Sequence, residues 1–291
     1  MTGPATSHQP RVTSYELRGD AMDRIEIDWN AAWQKAREGF SQGSDSSFWD
    51  KRAPAFARHV KETDYEKRFL DLMQPAPSWS VLDFGCGAGT LAIPLARRVA
   101  SVTAVDFSRV MLDLLRQSCR EEGITNVTPL HGSWDDDWES LGIGSHDAVI
   151  ASRSLVALDL REAITKLDRA ARRSVHISSL VGDGPQDRRI YEAVGRTLVS
   201  GPDYIYLYNL LYQMGIRATI NFITHREWKV YGNLDEALEG NCWMLKDVTR
   251  EELGLLRRYL AATLQAHGSG WRMPEPRVVR WALISWEKDT E

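Results

Sequence analysis

The stretch from Val81 to Asp106 restricts the architecture of this chain more than any other. Val81-Leu82-Asp83-Phe84 is a short, mostly apolar run, as suits a strand buried on both faces. Gly85, Gly87 and Gly89 then alternate, which lets a backbone turn sharply and approach a ligand with no Cβ in the way. A helical run leads to a second strand, Val102 to Val105, closed by Asp106. That acid stands 23 residues after Asp83, where a nucleotide-binding α/β unit sets a carboxylate against ribose hydroxyls.

The remaining chain continues the alternation. Thr90 to Val99 is expected to be helical, with Pro94 tolerated only in the first turn or at a kink. Ser108 is placed to cap a helix ending near Gly123. Strands are expected at Val127–Leu130, Asp147–Ala151 and Val175–Leu180, with a helix from Leu160 to Arg172. A polar, loop-rich break at 182–201 surrounds a short helix, Arg189 to Leu198. Next come a helix from Tyr204 to Gly215, a strand at Ala218–Thr224, and two helices within 233–266, the second opened by a Thr249/Glu252 capping box. Val278 to Trp286 alternates as a last strand. The fold class is therefore α/β, with a doubly wound, mostly parallel seven-stranded sheet and a helical insertion between its last strands.

Upstream, Trp29, Ala32, Trp33 and Ala36 recur at helical spacing, as do Phe48-Trp49, Ala53, Phe56 and Val60. Gly39 to Ser47 breaks these helices, and Tyr65 to Met73 forms a third, halted before Pro75. The expected division is a disordered terminus (1–14), a helical lid (15–77), a ligand-binding core (78–182) and a substrate-side segment (183–291) that returns two strands to the sheet.

Composition removes several functions. A net charge of −4 with 26% charged residues offers no bulk attraction to nucleic acid or anionic lipid. Cys86, Cys119 and Cys242 are isolated from one another, so neither a metal spacing nor a disulfide framework follows, and the seven histidines form no metal spacing. Residues 1–10 lack the basic and apolar regions of a secretion signal, and no apolar run approaches the roughly 20 residues of a membrane span. A cytoplasmic protein is expected.

Gly87-Ala88-Gly89-Thr90-Leu91-Ala92 matches a dinucleotide loop in form. Asp83, just before it, would repel a pyrophosphate but suits a cationic ligand bearing an ammonium group and a ribose; S-adenosylmethionine is such a ligand. Asp83-Phe84-Gly85-Cys86-Gly87-Ala88-Gly89, Asp106 and the later strands resemble the class I S-adenosylmethionine-dependent methyltransferases, in particular the type 11/type 12 methyltransferase-domain group. Phe48-Trp49-Asp50 with Ala53 and Phe56 is similar to the helix that often precedes the glycine loop there. The likeness spans residues 48–180.

The resemblance implies a Rossmann-like methyltransferase fold and a set of cofactor contacts. Gly85, Cys86, Gly87 and Gly89 would form the loop beneath the methionine and ribose. Asp83 would organise that loop and attract the ammonium. Asp106 would bind the ribose hydroxyls, Phe107 would pack on adenine, and Ser133 and Trp134 would meet the adenine edge. The acid usual at the Ser133 position is missing, and either Asp135 or backbone groups would take its place. Ser152 falls where the family contacts methionine and substrate. Against these stand plainer readings: Trp134 equally as core, Trp49 and Phe56 as core, Arg153 as a structural ion pair, and the Tyr204, Tyr206, Tyr208, Tyr212 stripe as helix packing.

The expected activity is in-line methyl transfer from S-adenosylmethionine to a small-molecule acceptor, with no metal and no membrane partner. His131, Tyr204 and His225 are conceivable bases, none singled out, while His131 and His176 read more plainly as structural. A tRNA or protein methyltransferase, a non-catalytic S-adenosylmethionine-binding protein and a hydride-transfer enzyme are the alternatives. A homodimer stays open.

Overall fold

The computed structural model describes residues 27–38, 48–51, 53 and 64–288. A seven-stranded sheet runs through it, from β1 (Ser80–Phe84), β2 (Ser101–Asp106), β3 (Val127–His131), β4 (His146–Ser152), β5 (Ala171–Leu180), β6 (Thr219–Glu227) and β9 (Arg277–Glu287). Their order is β3-β2-β1-β4-β5-β9-β6. All pairings are parallel except the two made by β9, which lies antiparallel between β5 and β6. The chain reverses its winding between β1 and β4, and open α/β sheets bind ligands at that switch point.

Successive residues of a strand face opposite sides of the sheet, and both sides are buried here. One side carries Leu82, Phe84, Val149 and Ala151 beneath α5 (Leu160–Ala170) and α7 (Tyr204–Gln213), with Trp33 of α1 (Trp29–Glu38). The other carries Val81, Ala104 and Ile150 beneath α2 (Tyr65–Met73), α3 (Ala92–Ala96) and α4 (Arg109–Glu121). The described upstream helices α1 and α2 thus pack on opposite faces. A smaller cluster joins Ile190 of α6 (Arg188–Ala193), Ala237 of α8 (Leu234–Cys242), and Leu256 and Leu260 of α9 (Arg250–Thr263), with Tyr231.

Several boundaries differ from expectation for local reasons. Pro94 is the third residue of α3, where its missing N–H costs no helical bond, and the helix is shorter than Thr90–Val99. Ala171 leaves α5 in extended backbone (φ −93°, ψ 130°), so β5 begins there rather than at Val175. Gly195, at φ +76°, closes the α6 segment before Leu198. A hairpin of β7 (Gln265–His267) and β8 (Gly270–Arg272) was not expected from the sequence. Ser108 caps α4 through Met111, and the Thr249/Glu252 capping box forms at α9. Among the described residues no helix is long and apolar enough to cross a membrane. Residues 1–14, the Gly39–Ser47 break and Phe56 lie outside the described residues.

Candidate functional site

Asp83 ends the buried part of β1 and is itself only 1% exposed. Its carboxylate accepts a hydrogen bond from the Ala92 N–H, while Oδ2 is buried with no partner. Burial, then the charge of Asp106, pushes its pKa up to about 7 against the opposing pull of the Ala92 N–H and Arg153. A buried carboxyl with one unpartnered oxygen either stays protonated or needs a positive partner to ionise.

The glycine loop is fixed from both sides. Gly85 has φ +78°, and a Cβ there would lie 2.2 Å from Ser154 Cβ. The Gly85 and Cys86 N–H groups both donate to the Val105 carbonyl, tying the loop to β2. Gly87 donates its N–H to Asp106 Oδ2 at 2.8 Å, and Ser108 donates its N–H to Asp106 Oδ1 at 2.9 Å. Asp106 therefore also organises the loop; burial raises its pKa, and these two N–H groups oppose the rise. Gly89 stands apart from the cavity: its φ is +95°, and a Cβ would meet Leu115 Cδ1 at 2.6 Å, so its bare backbone serves packing against α4.

One cavity of about 760 Å³ opens beside this loop, lined by Asp83, Gly85, Cys86, Gly87, Asp106, Phe107, Ser133, Trp134, Asp135 and Ser152 among others. Trp134 is both core and wall. It packs 4.4 Å from Phe84 between ring centroids and donates its Nε1–H to the Ser154 carbonyl. The Ser133 N–H is held by Asp136, while the neighbouring Asp135 is exposed on the cavity lining. Phe48 and Trp49 also line the cavity, where the plainer reading of Trp49 had placed it in the core. Asp50 beside them accepts the Ser108 hydroxyl at 2.5 Å and so ties this segment to the end of β2. The tyrosine stripe does pack: Tyr206 meets Trp29 edge-on, and Tyr204 meets Phe222 in the same way.

Two parts of the site carry no motif in the sequence. Tyr65 is buried, and its hydroxyl hydrogen-bonds with Ser152 (2.7 Å) and Ser178 (2.6 Å), while burial raises its pKa. Arg153, at φ +57°, lays its guanidinium 4.2 Å from the Tyr65 ring centroid and 5.7 Å from that of Trp281. Farther along, His225 and Glu227 of β6 and Arg277 and Trp281 of β9 line the same cavity. His225 Nε2 lies 3.0 Å from Glu227 Oε1, and Arg277 donates to Glu227 Oε2. His176 sits between Ser285 and Ser174, its pKa lowered to about 4 by burial, and His131 contacts the Phe107 carbonyl. Both histidines are structural in this arrangement. Among the described residues no three His, Cys, Asp or Glu side chains are grouped to hold a metal ion.

Residues 81–174 match the family model described as "Methyltransferase domain". A Haemophilus influenzae protein of uncharacterised function is 34% identical over 247 residues, which is 83% of this chain and 89% of that protein. The chain belongs to the class I S-adenosylmethionine-dependent methyltransferases. A putative methyltransferase from Bacillus halodurans shares the fold, with TM-score 0.54 and 13% identity over 78% of this chain and all of that one. Shorter matches reach enzymes with different acceptors. The aklanonic acid methyltransferase DauC of a Streptomyces species is 30% identical over 112 residues (38% of this chain, 49% of DauC). The 23S rRNA (uracil(1939)-C(5))-methyltransferase RlmD of Pectobacterium carotovorum is 31% identical over 130 residues (43% and 28%). The chain spans less than half the length of either enzyme.

The methyltransferase takes its methyl group from S-adenosylmethionine, and the site's chemistry fits that donor. An orphaned, buried carboxylate oxygen at Asp83 suits an ammonium. The Asp106 oxygens each hold one N–H and keep a lone pair for a hydroxyl.

Proposed function

We propose that the methyltransferase holds S-adenosylmethionine at the glycine-loop end of the cavity and a small-molecule acceptor at the β6–β9 end. The observation that carries this reading is the continuity of one cavity from Asp83 and Asp106 to His225 and Arg277. Its volume falls in the range of small-ligand sites. In this arrangement Asp83 meets the ammonium, Gly85, Cys86 and Gly87 lie beneath the methionine and ribose, and Asp106 accepts the ribose hydroxyls. Phe107, Ser133 and Trp134 border the adenine, and Ser152 stands between donor and acceptor.

The bound cofactor supplies an activated methyl group on a sulfonium. The protein then has to align a nucleophile with it, a task worth up to roughly 7–11 kcal/mol. Exposed Glu236, Glu239 and Glu275 on the cavity lining disfavour a polyanionic partner such as RNA. Cys86 offers no nucleophile for pyrimidine carbon-5 chemistry, because burial, with Asp83 and Asp106 nearby, holds its thiol well above the usual range.

Incubation with tritium-labelled S-adenosylmethionine tests the reading, using a small-metabolite extract in one arm and total RNA or protein in the others. Label is expected in the small-molecule fraction. Label confined to RNA or protein would assign the acceptor end to a macromolecule, and no transfer to any fraction would leave a binding protein.

A further inference from the structure

His225 and Trp281 lie on the same face of adjacent strands. The β6–β9 register pairs His225 with Val279 and Ile223 with Trp281, so the two side chains are diagonal neighbours. Such neighbours sit about 7–8 Å apart, within reach of one ligand group. Both line the cavity. Each carries a buried nitrogen with no hydrogen-bond partner: Nδ1 of His225 and Nε1 of Trp281. The His225 side chain is only 8% exposed, so a lone pair left unmet there is costly.

The two orphans are opposite in kind. Glu227 Oε1 lies 3.0 Å from His225 Nε2, and a carboxylate can only accept there. The imidazole proton is therefore on Nε2, and Nδ1 presents a lone pair. The indole Nε1–H of Trp281 can only donate. A single hydroxyl satisfies both, giving its proton to Nδ1 and accepting from Nε1–H. We propose that this pair recognises a hydroxyl on the methyl acceptor and that His225 Nδ1 takes its proton.

In that step the O–H bond breaks, an N–H bond forms at Nδ1, and the electron pair stays on oxygen as the nucleophile. The resulting imidazolium faces Glu227, whose other oxygen is held by Arg277, so the new charge arises beside a fixed carboxylate.

The surroundings narrow the acceptor class to an uncharged, planar alcohol of the phenol type. Trp243, Trp281 and Tyr231 line the cavity, with Arg277, Arg153 and Lys229 over their respective rings, so this wall is aromatic and cationic and suits a flat acceptor that gains negative charge. A carboxylate acceptor has no proton to surrender and would meet Glu227. An ammonium acceptor would arrive where the Glu227 carboxylate already carries Arg277 and His225. The inference rests on the reading above that the β6–β9 end is the acceptor side.

The test uses para-nitrophenol, whose phenolate is coloured, added to the protein loaded with S-adenosylhomocysteine. In mildly acidic buffer, where the free probe is mostly protonated, wild type is expected to bind it and raise the phenolate absorbance. His225→Gln should abolish the colour change, and Trp281→Phe, which keeps a ring but loses the N–H, should weaken binding about tenfold, the loss of one hydrogen bond. Thermal stabilisation of each variant by S-adenosylhomocysteine reports an intact fold and cofactor site. Wild type that binds S-adenosylhomocysteine but leaves the probe spectrum unchanged overturns the proposal, as do folded variants that shift it like wild type. Failure of wild type to bind S-adenosylhomocysteine would instead remove the cofactor assignment.

Discussion

Asp83→Asn is expected to make the ligand-free protein more stable at pH 8 and to cost it its cofactor. In the fold this carboxyl has a pKa of about 7, against an ordinary 3.8. Below pH 3.8 it is protonated in folded and unfolded chains alike, and its burial costs the fold no ionisation free energy. Between 3.8 and about 7 the unfolded chain ionises while the folded one does not, so stability falls as pH rises. Above that window the loss is constant, on the order of 4 kcal/mol. Asparagine removes this slope and keeps an acceptor for the Ala92 N–H, while its amide still lacks a partner at the buried Oδ2 position, which takes back roughly 1–3 kcal/mol. The variant's gain in melting temperature over wild type should therefore be larger at pH 8 than at pH 5, a difference from which the opposite slope of His176, common to both proteins, drops out. Affinity for S-adenosylmethionine should fall about 10- to 100-fold with the charged hydrogen bond gone. In wild type near neutral pH, cofactor binding should release a proton from Asp83, visible as a calorimetric enthalpy that changes with the buffer.

Gly85→Ala carries the second large effect. The position has φ +78°, which an L side chain rarely adopts, and the new methyl would lie 2.2 Å from Ser154 Cβ and 2.6 Å from its Oγ. Ser154 has little room to yield, because its hydroxyl donates to the Phe84 carbonyl at 2.7 Å and its own carbonyl holds Trp134. Relief would require the ends of β1 and β4 to separate, which opens the cofactor end of the cavity. A loss of at least about 3 kcal/mol in chemical denaturation and no measurable cofactor binding are expected. Gly123→Ala is the comparison: its φ is +67°, yet nothing lies within 4 Å of the added methyl, so it should cost only about 1–2 kcal/mol and leave binding alone.

What the sequence discloses follows from how local each feature is. The β1–loop–β2 unit is legible because its acids and glycines act within one continuous stretch, and Ser108 and Thr249 cap the helices that they directly precede. Gly89 shows the limit even there: its place in the motif suggests a ligand, while its surroundings show that it clears space for Leu115. The bond from the Ser133 N–H to Asp136 is a further local contact that no spacing announces. The β6–β9 end of the cavity is barely legible, with His225 only one of three conceivable bases and nothing in the sequence to single it out. His225, Glu227, Arg277 and Trp281 come together only through the register of β9 against β6, across about 50 residues of intervening helices. Tyr65 reaches Ser152 and Ser178 from a helix whose sequence reads as plain packing. Side chains brought together by long-range strand pairing have no spacing for a motif to record.

The central claim is that the end of β2 holds the ribose of S-adenosylmethionine, with Asp106 as its hydroxyl acceptor. Calorimetric titration of S-adenosylmethionine into wild type and Asp106→Ala tests it most directly. Saturable binding to wild type and an affinity at least severalfold weaker in the variant are expected, since both the ribose contact and the Gly87 N–H anchor are lost. Equal affinity in the two proteins would contradict it.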